Sequence, residues 1–196
     1  MNELIFFSHN KYKIKEILSI FQNSNINILT LNDFNCIIKP QENGKTFEEN
    51  ARIKSEFGFN YFGLPCFADD SGICINALDN SPGIKSNRFQ KKNGGYKKTF
   101  EIIINKAKSK KKFGAYFQTS IALTINHKKT IYFNGIVKGI ISSTPLGSFG
   151  FHYDPIFIPN GTNKTFAQMS SEEKNTISHR YIATKKLREF LLKSIN

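Results

Sequence analysis

Two long runs of β character, Tyr116–Ile125 and Thr130–Ile141, are separated only by Asn126-His127-Lys128-Lys129. A polar connection this short joins antiparallel neighbours, because a parallel crossover needs a dozen residues or more. The chain must therefore build a sheet around a long hairpin. Ahead of the hairpin the pattern changes. The apolar run Leu4–Phe7 leads into the polar stretch Ser8-His9-Asn10-Lys11, after which Ile14, Ile17, Leu18 and Phe21 recur at helical spacing. That is a strand, a loop and a helix, the unit that builds parallel sheets. Ile26–Leu29 reads as a second strand and Cys36–Ile38 as a shorter one. Thr46-Phe47-Glu48-Glu49 carries the spacing of a capping box and predicts a helix to about Phe59. Residues 94–112 read as a basic helix with Phe100, Ile103 and Ile104 on one side. Ile156–Ile158 reads as a short strand, and a last helix starts near Ser178 with Ile182, Leu187, Phe190 and Leu191 inward. The expectation is an α/β fold with a mixed sheet.

Between the first helices and the hairpin stands Leu64–Ala68, followed by Asp69-Asp70 and then Ser71-Gly72. The apolar run predicts an interior strand, and the two acids are expected at its C-terminal edge, where open α/β sheets bind ligands. Adjacent carboxylates repel, and partial burial makes both harder to ionise unless a cation offsets them. Magnesium suits such a site, since it prefers hard oxygens and bridges to phosphate. Read alone, the segment is equally a polar turn.

Composition narrows the partners. The formal net charge is +13, which favours anionic ligands. All but four of the 28 basic residues are lysine, the exceptions being Arg52, Arg88, Arg180 and Arg188. The densest patch, Lys106, Lys108 and Lys110–Lys112, reads as a solvated helix end. The three cysteines, Cys36, Cys66 and Cys74, form no metal or redox spacing, and a reducing cytoplasm is their simplest setting. No apolar run reaches the length of a membrane span, and the first residues read as a strand and not as a leader. Gly44-Lys45-Thr46 looks like the end of a Walker A loop, but that motif needs glycine at the position of Lys39. A P-loop is excluded.

Six segments in order carry a more specific signal: Ser8–Lys13, Glu42–Ala51, Ala68–Gly72, Ser81–Gly83, Phe151–Pro155, and Glu173-Lys174 through Ser178-His179-Arg180. Together they resemble the inosine/xanthosine triphosphate pyrophosphatase family, across nearly the whole chain. The resemblance implies a single domain over residues 1–196. Its fold would be an elongated mixed sheet flanked by helices, in two lobes with the active-site cleft between them. It implies a cytoplasmic, magnesium-dependent, homodimeric hydrolase. Such an enzyme converts ITP, dITP and XTP to the monophosphate and pyrophosphate, with no stable nucleic-acid partner and no membrane.

By matching positions, the resemblance places Ser8, His9, Asn10, Lys11, Tyr12 and Lys13 in a substrate loop, with Asn10 and Lys13 on the triphosphate. Glu42, Asp69 and Asp70 would gather the magnesium, and Asp70 would be the base for the attacking water. Lys13 and Glu42 complete the catalytic set, Lys54 adds a phosphate contact, and Ser71 lies beside the metal. Phe151, His152, Tyr153 and Asp154 would line the base pocket, which Lys174, His179 and Arg180 would close. On that resemblance, hydrogen-bond donors there, Arg180 among them, would donate to the 6-carbonyl of hypoxanthine or xanthine and reject the 6-amino group of adenine.

Taken singly, each residue has a plainer reading: Lys13 and Lys174 as surface charges, Glu42 as a loop acid, Phe151 and Tyr153 as core, His179 as a helix-start residue. The arrangement as a whole carries the argument. Two positions depart from the family pattern, His9 and His152, where the family usually has glycine. Glycine there would mark close approach or positive φ, so both histidines bear on substrate preference. Two other readings remain open: a pyrophosphatase for other modified or canonical nucleotides, and a non-catalytic basic nucleic-acid-binding module.

Overall fold

The structure is a computed structural model and describes residues 3–193. Among the described residues there are seven strands and six α-helices. The strands are β1 (Glu3–Phe6), β2 (Asn27–Thr30), β3 (Cys66–Ile75), β4 (Ser81–Pro82), β5 (Gly114–Asn126), β6 (Lys129–Ile141) and β7 (Phe157–Pro159). The helices are α1 (Lys11–Phe21), α2 (Phe47–Phe62), α3 (Ser86–Lys92), α4 (Tyr96–Lys110), α5 (Ser171–Ile177) and α6 (His179–Lys193). The sheet runs β2-β1-β3-β5-β6-β7, with β4 paired to β3. It is mixed. β1 pairs parallel to β2 and to β3, whereas β4 and β7 pair antiparallel to β3 and β6. The parallel pairs come from the strand–helix units and the long hairpin supplies β5 and β6, as the sequence predicts.

Contacts divide the chain into two compact units. The first combines residues up to Asp70 with Thr119–Gly135 and the segment from Arg180. On one side of its strands Leu4, Phe6 and Phe67 pack with Ile14, Ile17 and Phe21 of α1, and with Ala183, Leu187 and Leu191 of α6. On the other side Ile5, Phe7, Cys66 and Ala68 pack with Leu31, Phe57 and Phe59. The alternation along β1 is what lets a four-residue strand serve both cores. The second unit combines Ser71–Gln118 with Ile136–His179. Its core sets Ile73 and Ile75 against Phe100, Ile103, Ile104 and Ala107 of α4, with Phe117, Tyr153, Phe157 and Phe166. These four rings carry much of the apolar area.

Two local expectations fail, each for a physical reason, and two short helices carry no local signal. Cys36–Ile38 is not a strand: it leaves a short helical turn, Leu31–Phe34, through the left-handed Asn35, and Ile37 is exposed. Helices α3 and α5 are too short and too polar to show periodicity. Most important, Ser71-Gly72 is not a turn. β3 passes straight through Asp69, Asp70, Ser71 and Gly72, so the acids sit in mid-strand and not at its end. Gly72 permits this, because a Cβ built there would lie 2.2 Å from the Gly83 carbonyl oxygen and 2.5 Å from Ser86 Oγ. Glycine in a strand interior here marks the close approach of another backbone. Ser86 Oγ uses that approach to accept from the Ile73 amide at 3.1 Å and donate to the Gly83 carbonyl at 2.6 Å. Gly72→Ala should therefore cost about 1–3 kcal/mol of stability, as overpacking does. Urea unfolding checks this, with the midpoint lowered and the slope unchanged.

Candidate active site

The buried acids of β3 are surrounded by cations from other elements of the same unit. Lys13 Nζ on α1 meets Asp69 Oδ2 at 2.8 Å. Arg180 Nε, at the start of α6, donates to the same oxygen at 3.4 Å, and its Nη1 donates to Glu16 of α1. Arg180 and Asp69 are both almost wholly buried. Burial pushes the Asp69 carboxyl up, but Lys13, Arg180 and Lys54 together outweigh it and hold the group well below the usual carboxylate range. Burial also lowers Lys13, a shift that Asp69 opposes and the neighbouring cations Lys54 and Arg180 reinforce.

A second cluster centres on Lys54 of α2. Its ammonium donates to the main-chain carbonyl of Asp69 at 2.7 Å and lies 3.3 Å from Glu42 Oε1 and 3.9 Å from Asp70 Oδ1. Asp70 Oδ2 accepts from Asn50 Nδ2 at 3.1 Å. Burial raises the Asp70 carboxyl; Lys54 and Lys13 pull against that, and Glu42 adds to it. The two neighbouring acids are thus driven apart in opposite directions, which is how a site assigns different tasks to like groups.

Lys54 brings Glu42, Asp69 and Asp70 together, but not as three carboxylates. Among the described residues no group of three or more His, Cys, Asp or Glu side chains is arranged to hold a metal. Asp69 offers the centre its main-chain oxygen, since its side chain faces Lys13 and Arg180. Magnesium needs only one or two carboxylates when phosphate and water complete its shell. Glu42 and Asp70, hard oxygens gathered around a cation, fit that requirement.

The substrate loop differs in detail from expectation. Asn10 caps α1: its Oδ1 accepts from the amides of Tyr12 and Lys13 at 3.0 and 3.2 Å, so amides expected to face phosphate are engaged by the cap. Ser8 Oγ accepts from the Asn10 amide. Lys11, Tyr12 and His9 are exposed. His9 lies edge-on to Phe7, and partial burial with nearby Lys39 lowers its imidazole, against the Cys36 carbonyl.

In the second unit the expected base-pocket residues form their own network. Asp154 Oδ2 accepts from Lys174 Nζ at 2.7 Å and from the Phe151 amide at 2.8 Å. The Lys174 ammonium also lies 4.5 Å from the centre of the Phe151 ring. Tyr153 is buried, and its hydroxyl donates to the Ser86 carbonyl at 2.7 Å. His152 has φ of 59°, the left-handed backbone that glycine takes most readily, and its ring stacks on Tyr96 at 5.6 Å. His9, by contrast, is not among the described residues with positive φ. His179 is buried, its ring stacked on Phe117 at 4.6 Å. Ser71, half-buried, follows Asp70 directly in β3.

Sequence reasoning missed Glu16, Asn50, Ser86 and Tyr96. Glu16 had a signal: it is the one acid of α1, three residues after Lys13 on a helix. Asn50 also had one, a polar residue on the buried side of α2. Ser86 and Tyr96 act through a main-chain carbonyl and a ring stack, which no local pattern announces.

With the geometry in place, comparison with known proteins decides the family. Residues 4–190 match the Ham1 family. The chain belongs to the Ham1 family. A dITP/XTP pyrophosphatase of Christiangramia forsetii is 39% identical, with 97% of this chain and 100% of that protein covered. One from Porphyromonas gingivalis is 40% identical, with 98% of each covered. Among solved structures, the HAM1 protein of Coxiella burnetii has a TM-score of 0.89 at 32% identity, with 98% of this chain and 100% of that one covered. The Staphylococcus aureus Ham1 protein has a TM-score of 0.87 at 34% identity, with 98% and 99% covered.

The opposite shifts of the two acids give opposite stability effects. Asp69 is held ionised more readily in the fold than in water, so its contribution is full above the ordinary carboxylate range. It is lost as pH falls through its depressed folded-state value. Asp69→Asn should cost about 3–5 kcal/mol at pH 7, as breaking a buried ion pair does, with a gap that closes on acidification. Asp70 is the reverse, since at neutral pH the fold carries a charge it disfavours. Asp70→Asn should melt at or above the wild-type temperature at pH 7 without divalent metal, and lose that advantage as pH falls through the raised Asp70 value. Thermal melts of both variants in chelator, from pH 7 to about pH 2, check the pair of signs, since the Asp69 gap stays open down to the ordinary carboxylate range and closes only below it.

Proposed function

We propose that this Ham1-family chain is a magnesium-dependent pyrophosphatase. It would act on non-canonical purine nucleoside triphosphates (ITP, dITP and XTP) and release the monophosphate and pyrophosphate. The observation that carries the reading is the charge cluster in which Lys13, Lys54 and Arg180 converge on the buried Asp69 and Asp70, with the exposed Glu42 at its edge, in a chain whose full-length relatives are named dITP/XTP pyrophosphatases. Buried carboxylates beside lysines at a raised and a depressed pKa are the composition of a phosphoryl-transfer site.

On this reading Glu42 and Asp70 would hold the magnesium, with substrate phosphates completing its shell. When bound, it supplies a lowered pKa to water and neutralises phosphoryl charge. The remaining work belongs to the chain. Lys13 and Lys54 offer compact point charges to a flexible polyphosphate. Asp69, ionised by its cations, holds Lys13 in place, and Arg180 is braced between Asp69 and Glu16. Asp70 takes the proton of the water that attacks the α-phosphorus. The bond to the β-phosphate oxygen breaks, and pyrophosphate carries the electron pair away.

The segment Phe151–Asp154 contributes the base site, with His152 in place of glycine changing the rim. Lys174 and Asp154 orient the loop through Phe151, and His179 stands at the start of α6 beside Phe117. Residues 1–196 act as a single catalytic domain, homodimeric and cytoplasmic; among the described residues no helix is long and apolar enough to cross a membrane. No observation favours nucleic-acid binding. The Lys106–Lys112 cluster is exposed at the C-terminal end of α4, where lysines complement the helix dipole.

The test is pyrophosphate release from ITP, XTP, GTP and ATP, each with magnesium and with chelator. Release from ITP and XTP only with magnesium, with ATP slower by about 10²-fold or more, is the expected outcome. No release from any of the four in magnesium overturns the proposal, and equal rates on all four remove the substrate preference.

A further inference from the structure

We propose that Asn50 is a positioning residue of this centre: its side-chain amide ties the Glu42 loop to the Asp70 carboxylate and so fixes the spacing of the two acids. The inference deepens the functional reading above and rests on it. Asn50 lies on α2 and is fully buried. Both ends of its amide are used: Nδ2 donates to Asp70 Oδ2 at 3.1 Å, and Oδ1 accepts from the Gly44 amide at 2.9 Å. The partners fix the orientation of the group, because a flipped amide would set oxygen against carboxylate and NH₂ against N–H.

Glu42 stands two residues before Gly44. The loop between it and α2 is held at its other end by the cap, where Thr46 Oγ1 accepts from the Glu49 amide and Glu49 Oε2 accepts from the Lys45 amide. Asn50 therefore adds an anchor at Gly44, two residues after Glu42. Lys54 follows one turn later on the same helix face and reaches both acids. One face of α2 thus carries both the amide tie and the ammonium.

Gly44 belongs to the same device. A Cβ there would lie 2.7 Å from Asn50 Oδ1 and 2.9 Å from the Asn50 amide nitrogen. The glycine of Gly44-Lys45-Thr46, which belongs to no P-loop, exists so that the main chain can come close to Asn50. A buried amide needed only for packing could be satisfied by any pair of backbone groups. This one is satisfied by a carboxylate of the proposed centre and by the loop that carries the other.

The experiment compares Asn50→Asp and Asn50→Ala by steady-state kinetics on ITP with magnesium, and by hydrogen exchange at the Gly44 amide in the metal-free protein. Asn50→Asp keeps the acceptor for Gly44 and loses the donor to Asp70. It should lower kcat about 10²-fold while nucleotide KM stays within about threefold and Gly44 stays protected. Asn50→Ala should lower kcat at least as far and also lose the Gly44 protection. Gly44→Ala crowds Asn50 from the loop side and should lower kcat in the same manner. Rates are taken per folded molecule, so a loss that merely follows unfolding is removed, and a variant that does not fold leaves the other two to decide. The proposal is overturned if a folded variant keeps wild-type kcat within about twofold. Unchanged Gly44 exchange in Asn50→Ala overturns it as well. Absence of turnover by the wild type refutes the functional reading instead, and the tie is then decided by exchange alone.

Discussion

Two ionisable acids in succession in the middle of β3 can persist only if cations reach them from elsewhere in the chain. That requirement organises the first unit. Successive residues of a strand point to opposite faces, so the carboxylates of Asp69 and Asp70 have different direct partners, although Lys13 and Lys54 act on both charges. Asp69 is met by α1 and the first turn of α6 through Lys13 and Arg180. Asp70 is met by α2, through Asn50 and Lys54. Each acid thus fixes a different helix to the strand, and the three helices that pack this unit's sheet are also the three that hold its charges. The electrostatic need and the packing solution are the same contacts. Isolated buried carboxylates would instead neutralise; here the surrounding charges decide which of the two keeps its proton more readily.

The legible part of the structure is the part written in periodicity. Ile14, Ile17 and Phe21 on α1, Phe100, Ile103 and Ile104 on α4, and Leu187 and Leu191 on α6 are all buried as the spacing predicts. The hairpin needed only two long runs and four polar residues between them. What periodicity does not encode is the course of β3. Asp-Asp-Ser-Gly is a turn sequence by every local rule, and it is a strand because the sheet pairs β3 with β1, β5 and β4, with Gly72 leaving room for the backbone at Gly83. That contact spans eleven residues and has no local signature. The cap of α2 shows the same boundary between local and non-local. Thr46 was readable as the N-cap, and its bond to the Glu49 amide is present. Glu49 was expected to reach back to Thr46 and instead takes the Lys45 amide.

The candidate residues divide along a similar line. Residue type and order pointed to Lys13, Glu42, Lys54, Asp69, Asp70 and Arg180, and these do converge. Which atom each contributes was not legible. Asp69 turns out to offer a main-chain oxygen to one neighbour and its carboxylate to others. Asn10 turns out to bind amides of its own helix. A motif gives identities; only the dihedrals of the folded chain say which face of each residue is used.

His152 shows how a departure from a family pattern can be read physically. A histidine at φ of 59° occupies a region in which few non-glycine residues are found, at a cost of order 1–3 kcal/mol. The loop keeps the backbone conformation that glycine would supply, so the conformation is imposed by its surroundings and not by residue 152. Those surroundings are visible. Asp154 Oδ2 accepts from the Phe151 amide and from Lys174, and Gly150 admits that carboxylate where a Cβ would sit 2.2 Å from it. Phe151 on one side of His152 is therefore held by a buried ion pair, and Tyr153 on the other by its hydroxyl bond to the Ser86 carbonyl. The stack on Tyr96 offsets part of the strain and orients the imidazole. A side chain that the backbone merely tolerated would be free to turn into solvent; this one is held against an aromatic ring by the same loop that strains it. The substitution consequently adds a fixed surface to the segment, and any consequence for substrate choice must act through that surface and not through a changed main chain.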